Sequence, residues 1–331
     1  MSKRFIILQV IFLCIIGALF VAYMRNRDPL GSTYVISPIQ ATSTLHTNDV
    51  AEQIAAFPLI NPAVTADLGK YFIINFAPLK AQLVDLQNAE KKKTFIYFLY
   101  LNNSGWIGLN EKDLFTAAST IKVPLAMEVY KLAEQGKLSL NDQYKLDASD
   151  LDSNFGALYK AGAGATSTIQ DLLGTMLQYS DNTAARALIH VTQLVGVKDP
   201  FKDVYAAMGW QTVDFSSKPS YIDINEKTLS NMFIALYNAT YLNPTDSEAI
   251  MHYLDLSTFD QQIAGGVPKD VAVAHKIGID SEDNVYSDCG VVYVPNRPYI
   301  LCLGMKDGSQ VEADSFMQTI SKTVYNYVTS N

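Results

Sequence analysis

Ser119 and Lys122 stand three residues apart in Ala117-Ala118-Ser119-Thr120-Ile121-Lys122-Val123-Pro124. A loop there enters an apolar helical pattern that runs through Met127, Tyr130 and Leu132 to Gly136. Three residues is about one helical turn, so the amine and the hydroxyl share a face. A helix N-terminus and a desolvated lysine that sheds its charge would together make such a serine a nucleophile. Taken alone, the spacing suits an N-cap serine beside a solvated lysine equally well. Two further stretches change that balance.

In Tyr179-Ser180-Asp181-Asn182, Ser180 occupies a corner between two helical patterns. The preceding helix has Ser167 or Thr168 as its cap and Ile169, Leu172, Leu173, Met176 and Leu177 on one face. The following one carries Ala184, Leu188 and Val191. At such a corner a hydroxyl can relay a proton and Asn182 can donate to a carbonyl, while Asp181 or Asn182 caps the next helix. In the third stretch, His275-Lys276-Ile277-Gly278, Lys276 can hold an anion and Gly278 lets a backbone approach the strand. Lys160-Ala161-Gly162 and Lys306-Asp307-Gly308 have the same form. The first precedes the Ser180 corner and the second ends a strand at a turn.

The elements that must position these residues follow from periodicity. A helix opens at Pro78-Leu79, with Leu79, Leu83, Val84 and Leu86 at helical spacing. Thr94 to Leu101 reads as a strand, Asn102 to Gly105 as a turn, and Trp106 to Leu109 as the returning strand. From about Thr120 to Tyr253 the pattern is mainly helical. Strands return at Val271 to Ile279, Tyr286 to Val294 and Pro298 to Met305, before an amphipathic helix from Val311 to Val328. Strands thus bracket a helical centre, the sign of an α/β (α+β) sheet domain with an inserted all-helical domain. With Pro295-Asn296 as the connecting loop, Cys289 and Cys302 fall opposite each other on one face. They form either a cross-strand disulfide or two buried free thiols.

The order Ser119-x-x-Lys122, Ser180-Asp181-Asn182, Lys276-x-Gly278 resembles the class A β-lactamase-like serine hydrolases of the penicillin-recognising superfamily. The resemblance covers roughly Ala66 to Asn331, and Ser119 lies 61 residues before Ser180. It implies an antiparallel sheet flanked by helices. It implies Ser119 as the acylated nucleophile, Lys122 as its base or relay, and Ser180 as the proton donor to the leaving nitrogen. Asn182 and Lys276 would orient substrate beside Gly278, and the N–H groups of Ser119 and Ile279 would form an oxyanion hole. The implied substrate is a β-lactam or the peptidoglycan D-alanyl-D-alanine stem peptide. A D-alanyl-D-alanine peptidase and a catalytically weak wall-binding module remain the alternatives.

Two departures bear on turnover. The stretch Thr212 to Pro219 lacks the E-x-x-L-N glutamate that activates water in the resembled lactamases, and Asp214, Asp223 and Glu226 are the nearest acids. Asp223 or Asn225 reads as a helix cap and Glu226 as a first-turn charge. Ile277 stands where the family carries a hydroxyl.

Phe5 to Tyr23 is 19 residues without a charge. As a helix it spans ~28 Å, close to a bilayer's hydrocarbon thickness. It is longer than a signal-peptide core and lacks an A-x-A exit, so it reads as an uncleaved single-pass anchor. The expected organisation is an anchor over 1–27, a Ser/Thr/Pro/Ala-rich linker over 28–65 and a catalytic domain over 66–331 outside the cytoplasm. Lysine plus arginine number 25 against 33 for aspartate plus glutamate, which argues against nucleic acid as a partner. Three scattered cysteines, no HExxH, no G-x-S-x-G elbow and no full nucleotide fingerprint leave no cofactor or metal to expect. His46, His190, His252 and His275 are scattered, with His190 on a helix face and His275 beside Lys276.

Overall fold

The computed structural model describes residues 58–59, 74–209 and 223–331, which lie in the compact unit Thr47–Asn331. The expected anchor over Phe5 to Tyr23 and the stretch Thr212 to Pro219 fall outside the described residues. Among the described residues no helix is long and apolar enough to cross a membrane.

Helix α1 (Ala77–Ala89) starts with Pro78 in its first turn, where a missing N–H costs nothing. It buries Leu79 and Leu83. Strands β1 (Lys93–Tyr100) and β2 (Trp106–Leu109) form the first hairpin. After the helical centre come β7 (Val273–Asp280), β8 (Val285–Val292) and β9 (Tyr299–Lys306), and then α8 (Gln310–Ser330). These five strands make one sheet in the order β2-β1-β9-β8-β7, antiparallel throughout. The last strands therefore close onto the first, and β7 is left at an edge.

Nearly every residue of β1, β8 and β9 is buried, because both sheet faces are covered. On one face Phe98, Leu301 and Leu303 pack with Leu79 and Leu83 of α1 and Met317, Ile320 and Val324 of α8. On the other, Phe95, Val291 and Ile300 join the apolar sides of the helical centre. Leu59, placed by sequence in the linker, is buried in this second cluster. Its N–H donates to Glu248 Oε2 at 2.9 Å, and Tyr293 Oη donates to its carbonyl. The globular body thus takes in chain ahead of the expected boundary at residue 66.

The helical centre holds α2 (Lys122–Glu134), α3 (Ile169–Tyr179), α4 (Asn182–Leu194), α5 (Lys202–Ala207), α6 (Glu226–Tyr237) and α7 (Pro244–Asp255). Short strands β3 (Phe115–Thr116) and β6 (Asp223–Ile224) pair ahead of α2 and α6, and β4 (Gln143–Lys145) pairs with β5 (Thr166–Thr168). Of the two cap candidates, Thr168 holds the start of α3 through Asp171 N. Cys289 and Cys302 are directly opposed on β8 and β9 and are joined as a disulfide. This follows from the two-residue loop and resolves the open alternative in favour of the bond.

Candidate active site

Two of the motifs sit at the ends of helices and the third lies within β7. Strand β3 delivers the chain to a 3-10 turn, Ala118–Ile121, which runs straight into α2. Ala118 has φ +46°, an unfavourable conformation for a residue with a Cβ and a mark of a constrained turn. Ser119 follows it, half-buried, at the mouth of the helix. Ser180 is the left-handed terminus of α3 at φ +54°. Asp181 caps α4 by accepting Ala184 N at 2.9 Å, so capping holds for Asp181 while Asn182 is free to face the site.

Lys122 is 5% exposed and its Nζ lies within hydrogen-bond reach of four oxygens: Ser119 Oγ at 3.1 Å, Ser180 O at 2.5 Å, Ser180 Oγ at 3.3 Å and Asn182 Oδ1 at 2.7 Å. Lys276, 1% exposed on β7, donates from the other side to Ser180 Oγ at 2.8 Å. Its Nζ also lies 5.7 Å from the centre of the Phe259 ring. Five of the seven expected residues are thus linked through the Lys122 amine and the Ser180 hydroxyl.

Burial brings the Lys122 amine down to about 7, against the opposing fields of Asp181 and Asp152. Burial, with repulsion from Lys122, likewise lowers the Lys276 ammonium well below its ordinary value, and Asp288 pulls it partly back. Near neutral pH Lys122 therefore spends much of its time as a free amine 3.1 Å from Ser119 Oγ, where it can accept the hydroxyl proton.

Gly278 is placed differently from the expectation. A Cβ there would lie 2.6 Å from Ser287 Oγ and 2.9 Å from Ala117 O. Its lack of a Cβ lets the nucleophile turn pack directly on β7. Ile279, next along β7, pairs with Tyr286. Ile277 is buried and gives the site no polar group.

The acids need a correction as well. Asn225 caps α6 through Thr228 N, as one of its two readings had it. Glu226, read as a first-turn charge, is in the first turn but wholly buried. Asp223 is exposed on β6 opposite Thr116, and Asp214 falls outside the described residues. Asp152 is paired with Arg186 at 2.5 Å. Asp181 is used by the N–H groups of Ala157, Leu158 and Ala184. Among the described residues no carboxylate hydrogen-bonds to Ser119.

Sequence reasoning missed several contributors. Phe155 and Phe259 stand 5.9 Å apart between ring centres, and Phe155 O accepts Asn182 N at 3.0 Å. Nothing in the spacing of residues 155 and 259 signals that contact. His275 Nδ1 meets Asp288 Oδ1 at 2.8 Å in the interior, and His190 Nδ1 meets buried Asp150 at 2.5 Å.

A family profile described as "Beta-lactamase enzyme family" matches residues 78–328. The extended-spectrum β-lactamase PER-1 of Pseudomonas aeruginosa is 22% identical over 240 residues, 66% of this chain and 77% of its own. A β-lactamase from Sphaerobacter thermophilus superposes with TM-score 0.69 at 21% identity, covering 78% of this chain and 99% of that one. The structure of PBP-A gives TM-score 0.69 at 18% identity, over 77% and 97%. A variant of PBP-A, solved as an acyl-enzyme complex with penicillin G, gives 0.68 at 18% identity, over 77% and 97%.

Proposed function

The chain belongs to the β-lactamase enzyme family, and on that footing we propose that it is a membrane-anchored serine hydrolase outside the cytoplasm, acting through an acyl-enzyme on β-lactams or related amides. The observation that carries the chemistry is the Lys122 amine, lowered to about 7 and 3.1 Å from Ser119 Oγ. Ser119 Oγ attacks the amide carbonyl while its proton passes to Lys122. The C–N bond then breaks, and the leaving nitrogen takes a proton through Ser180 Oγ, which Lys276 holds in place. The N–H groups of Ser119 and Ile279 receive the developing oxyanion. Asn182 and Lys276 orient the substrate. Water finally cleaves the ester and restores the serine hydroxyl.

The relatives' own names support a β-lactam substrate, as does the penicillin adduct of the PBP-A variant. The second reading, a D-alanyl-D-alanine peptidase, is favoured by one observation: the described carboxylates do not reach Ser119. A labelled penicillin separates the readings. Rapid turnover supports a lactamase, stable labelling of Ser119 supports a peptidase or a slow acyl-enzyme, and no labelling supports a non-catalytic wall-binding module. The anchor and the outward orientation rest on Phe5 to Tyr23 and on where wall peptides and antibiotics are met.

A further inference from the structure

One row of residues crosses the sheet behind the nucleophile turn. Gly278 on β7 faces Ser287 on β8, Ser287 faces Gly304 on β9, and Gly304 faces Phe95 on β1. The space above the two glycines is filled by oxygen. Ser287 Oγ and Ala117 O close on Gly278, and Glu226 Oε1 lies 2.6 Å from where a Gly304 Cβ would be. Glu226 reaches this row from the first turn of α6. It is 0% exposed, and neither of its carboxyl oxygens has a hydrogen-bond partner; the same is true of Ser287 Oγ. A buried carboxyl in that state lowers stability, and its presence in a folded core calls for a reason.

We propose that Glu226 tunes the oxyanion hole from behind, and that it must carry its proton for Ser119 to be acylated at full rate. The inference rests on the hole being formed by the N–H groups of Ser119 and Ile279, which the Ala117 and Gly278 backbones position. Burial holds the Glu226 carboxyl well above the usual carboxylate range, and the negative charge of Asp288 acts in the same direction. The other neighbours offer no relief. Gly304 and Phe95 face it from β9 and β1, and Lys227 beside it on α6 turns to the Trp106 ring, 5.4 Å away. No cation pairs with Glu226 among the described residues. Gly304 and Gly278 are two strand spacings apart, about 10 Å. A negative charge at that range, in a protein interior, opposes an oxyanion enough to slow its formation on the order of tenfold.

The test is the acylation rate of a chromogenic β-lactam from pH 5 to pH 10, for the parent, Glu226→Gln and Glu226→Leu. The parent should show an alkaline decline of about tenfold that both variants lack, while all three keep the acid limb set by Lys122. A parent without that decline, or a Gln variant that reproduces it, overturns the proposal. Unfolding stability gives a second readout that needs no acylation. A folded state that keeps a proton the unfolded chain releases loses stability as pH rises above about 4, the unfolded carboxyl value. Parent stability should therefore fall relative to Glu226→Gln from that pH upward. Parallel stability curves would also overturn the proposal. A chain that no β-lactam acylates, yet shows diverging curves, would instead remove the proposed function and leave Glu226 as a buried neutral acid.

Discussion

Lys276 Nζ and Ser180 Oγ are 2.8 Å apart although 96 positions separate the residues in the chain. One lies on the edge strand of the sheet, the other at the end of a helix in the inserted domain. Lys122 Nζ approaches the same hydroxyl at 3.3 Å. Ser180 therefore stands between two amines, so a proton taken from Ser119 by Lys122 has a short path through Ser180 Oγ to a leaving nitrogen. The sheet and the helical centre meet at this hydroxyl.

The pH dependence of acylation should follow Lys122. Its amine is lowered to about 7, chiefly by burial, and only the neutral form accepts a proton. The rate should fall about tenfold for each pH unit below 7, from a plateau just above it. Lys122→Arg stays charged and should lose at least about a hundredfold. Stopped-flow acylation with a chromogenic β-lactam reads both. A flat profile between pH 5 and pH 8 would remove Lys122 from the base role.

Much of this arrangement was legible in the chain, for local reasons. Ser119 and Lys122 sit on one turn, so their contact is a matter of helical geometry. The opposition of Cys289 and Cys302 follows from a two-residue loop. Lys276 is separable from Lys160 and Lys306 because it alone combines a strand pattern with a place after the Ser180 corner in the motif order. What could not be read came from long-range packing. The contact of Phe155 with Phe259, the fields of Asp152 and Asp181 at Lys122, and the packing of Gly278 against Ala117 join residues far apart in sequence. Glu226 shows the limit most plainly. Its position in the first turn was correct, but only the tertiary fold decides whether a first-turn acid meets water or a sheet.

The loop before Leu158 should be intolerant of a methyl group. Gly156 has φ +91°, and a Cβ there would overlap the Asp181 carboxylate that accepts Ala157 N and Leu158 N. Gly156→Ala should cost about 1–3 kcal/mol of stability. It should also weaken substrate orientation, because Phe155 O holds Asn182 N. Thermal unfolding and KM measured together test this; an unchanged melting temperature would show that the loop relaxes freely.

The bond between Cys289 and Cys302 closes a separation of 13 residues across two central strands. Chain-entropy reasoning gives it roughly 3 kcal/mol. The unfolded globular domain should yield no alkylatable thiol at these positions until it is reduced, and reduction should lower its urea midpoint. Two free thiols without reductant would mean that the pair packs as small apolar groups.

Topology is open to a direct check. With Phe5 to Tyr23 retained as the anchor and the domain outside, protease treatment of intact cells should release a fragment containing the globular domain. A domain that survives this treatment and is degraded only after lysis would reverse the orientation.

Turnover is where this chain should part from the proficient lactamases it is related to. Acylation needs a nucleophile, a base, a proton path and an oxyanion hole. In the proposed mechanism Ser119, Lys122, Ser180 and the turn packed on β7 provide these. Deacylation also needs a base on the water that attacks the ester. Asp152 and Asp181 are committed to other partners, Asp223 is exposed on β6, and the Glu226 carboxyl is buried against Gly304, which holds it well above the usual carboxylate range. A positioned general base contributes roughly 10²- to 10⁴-fold, so the lack of one among the described residues should lengthen the life of the adduct by that order. Incubation with penicillin G should add the mass of the intact drug to the protein, and the adduct should persist for minutes or longer. Ser119→Ala should show no adduct at all. Intact-protein mass spectrometry over time distinguishes the outcomes. Loss of the adduct within a second, with matching release of hydrolysed drug, would mean that another acid reaches the ester, and Asp214 would be the first to substitute.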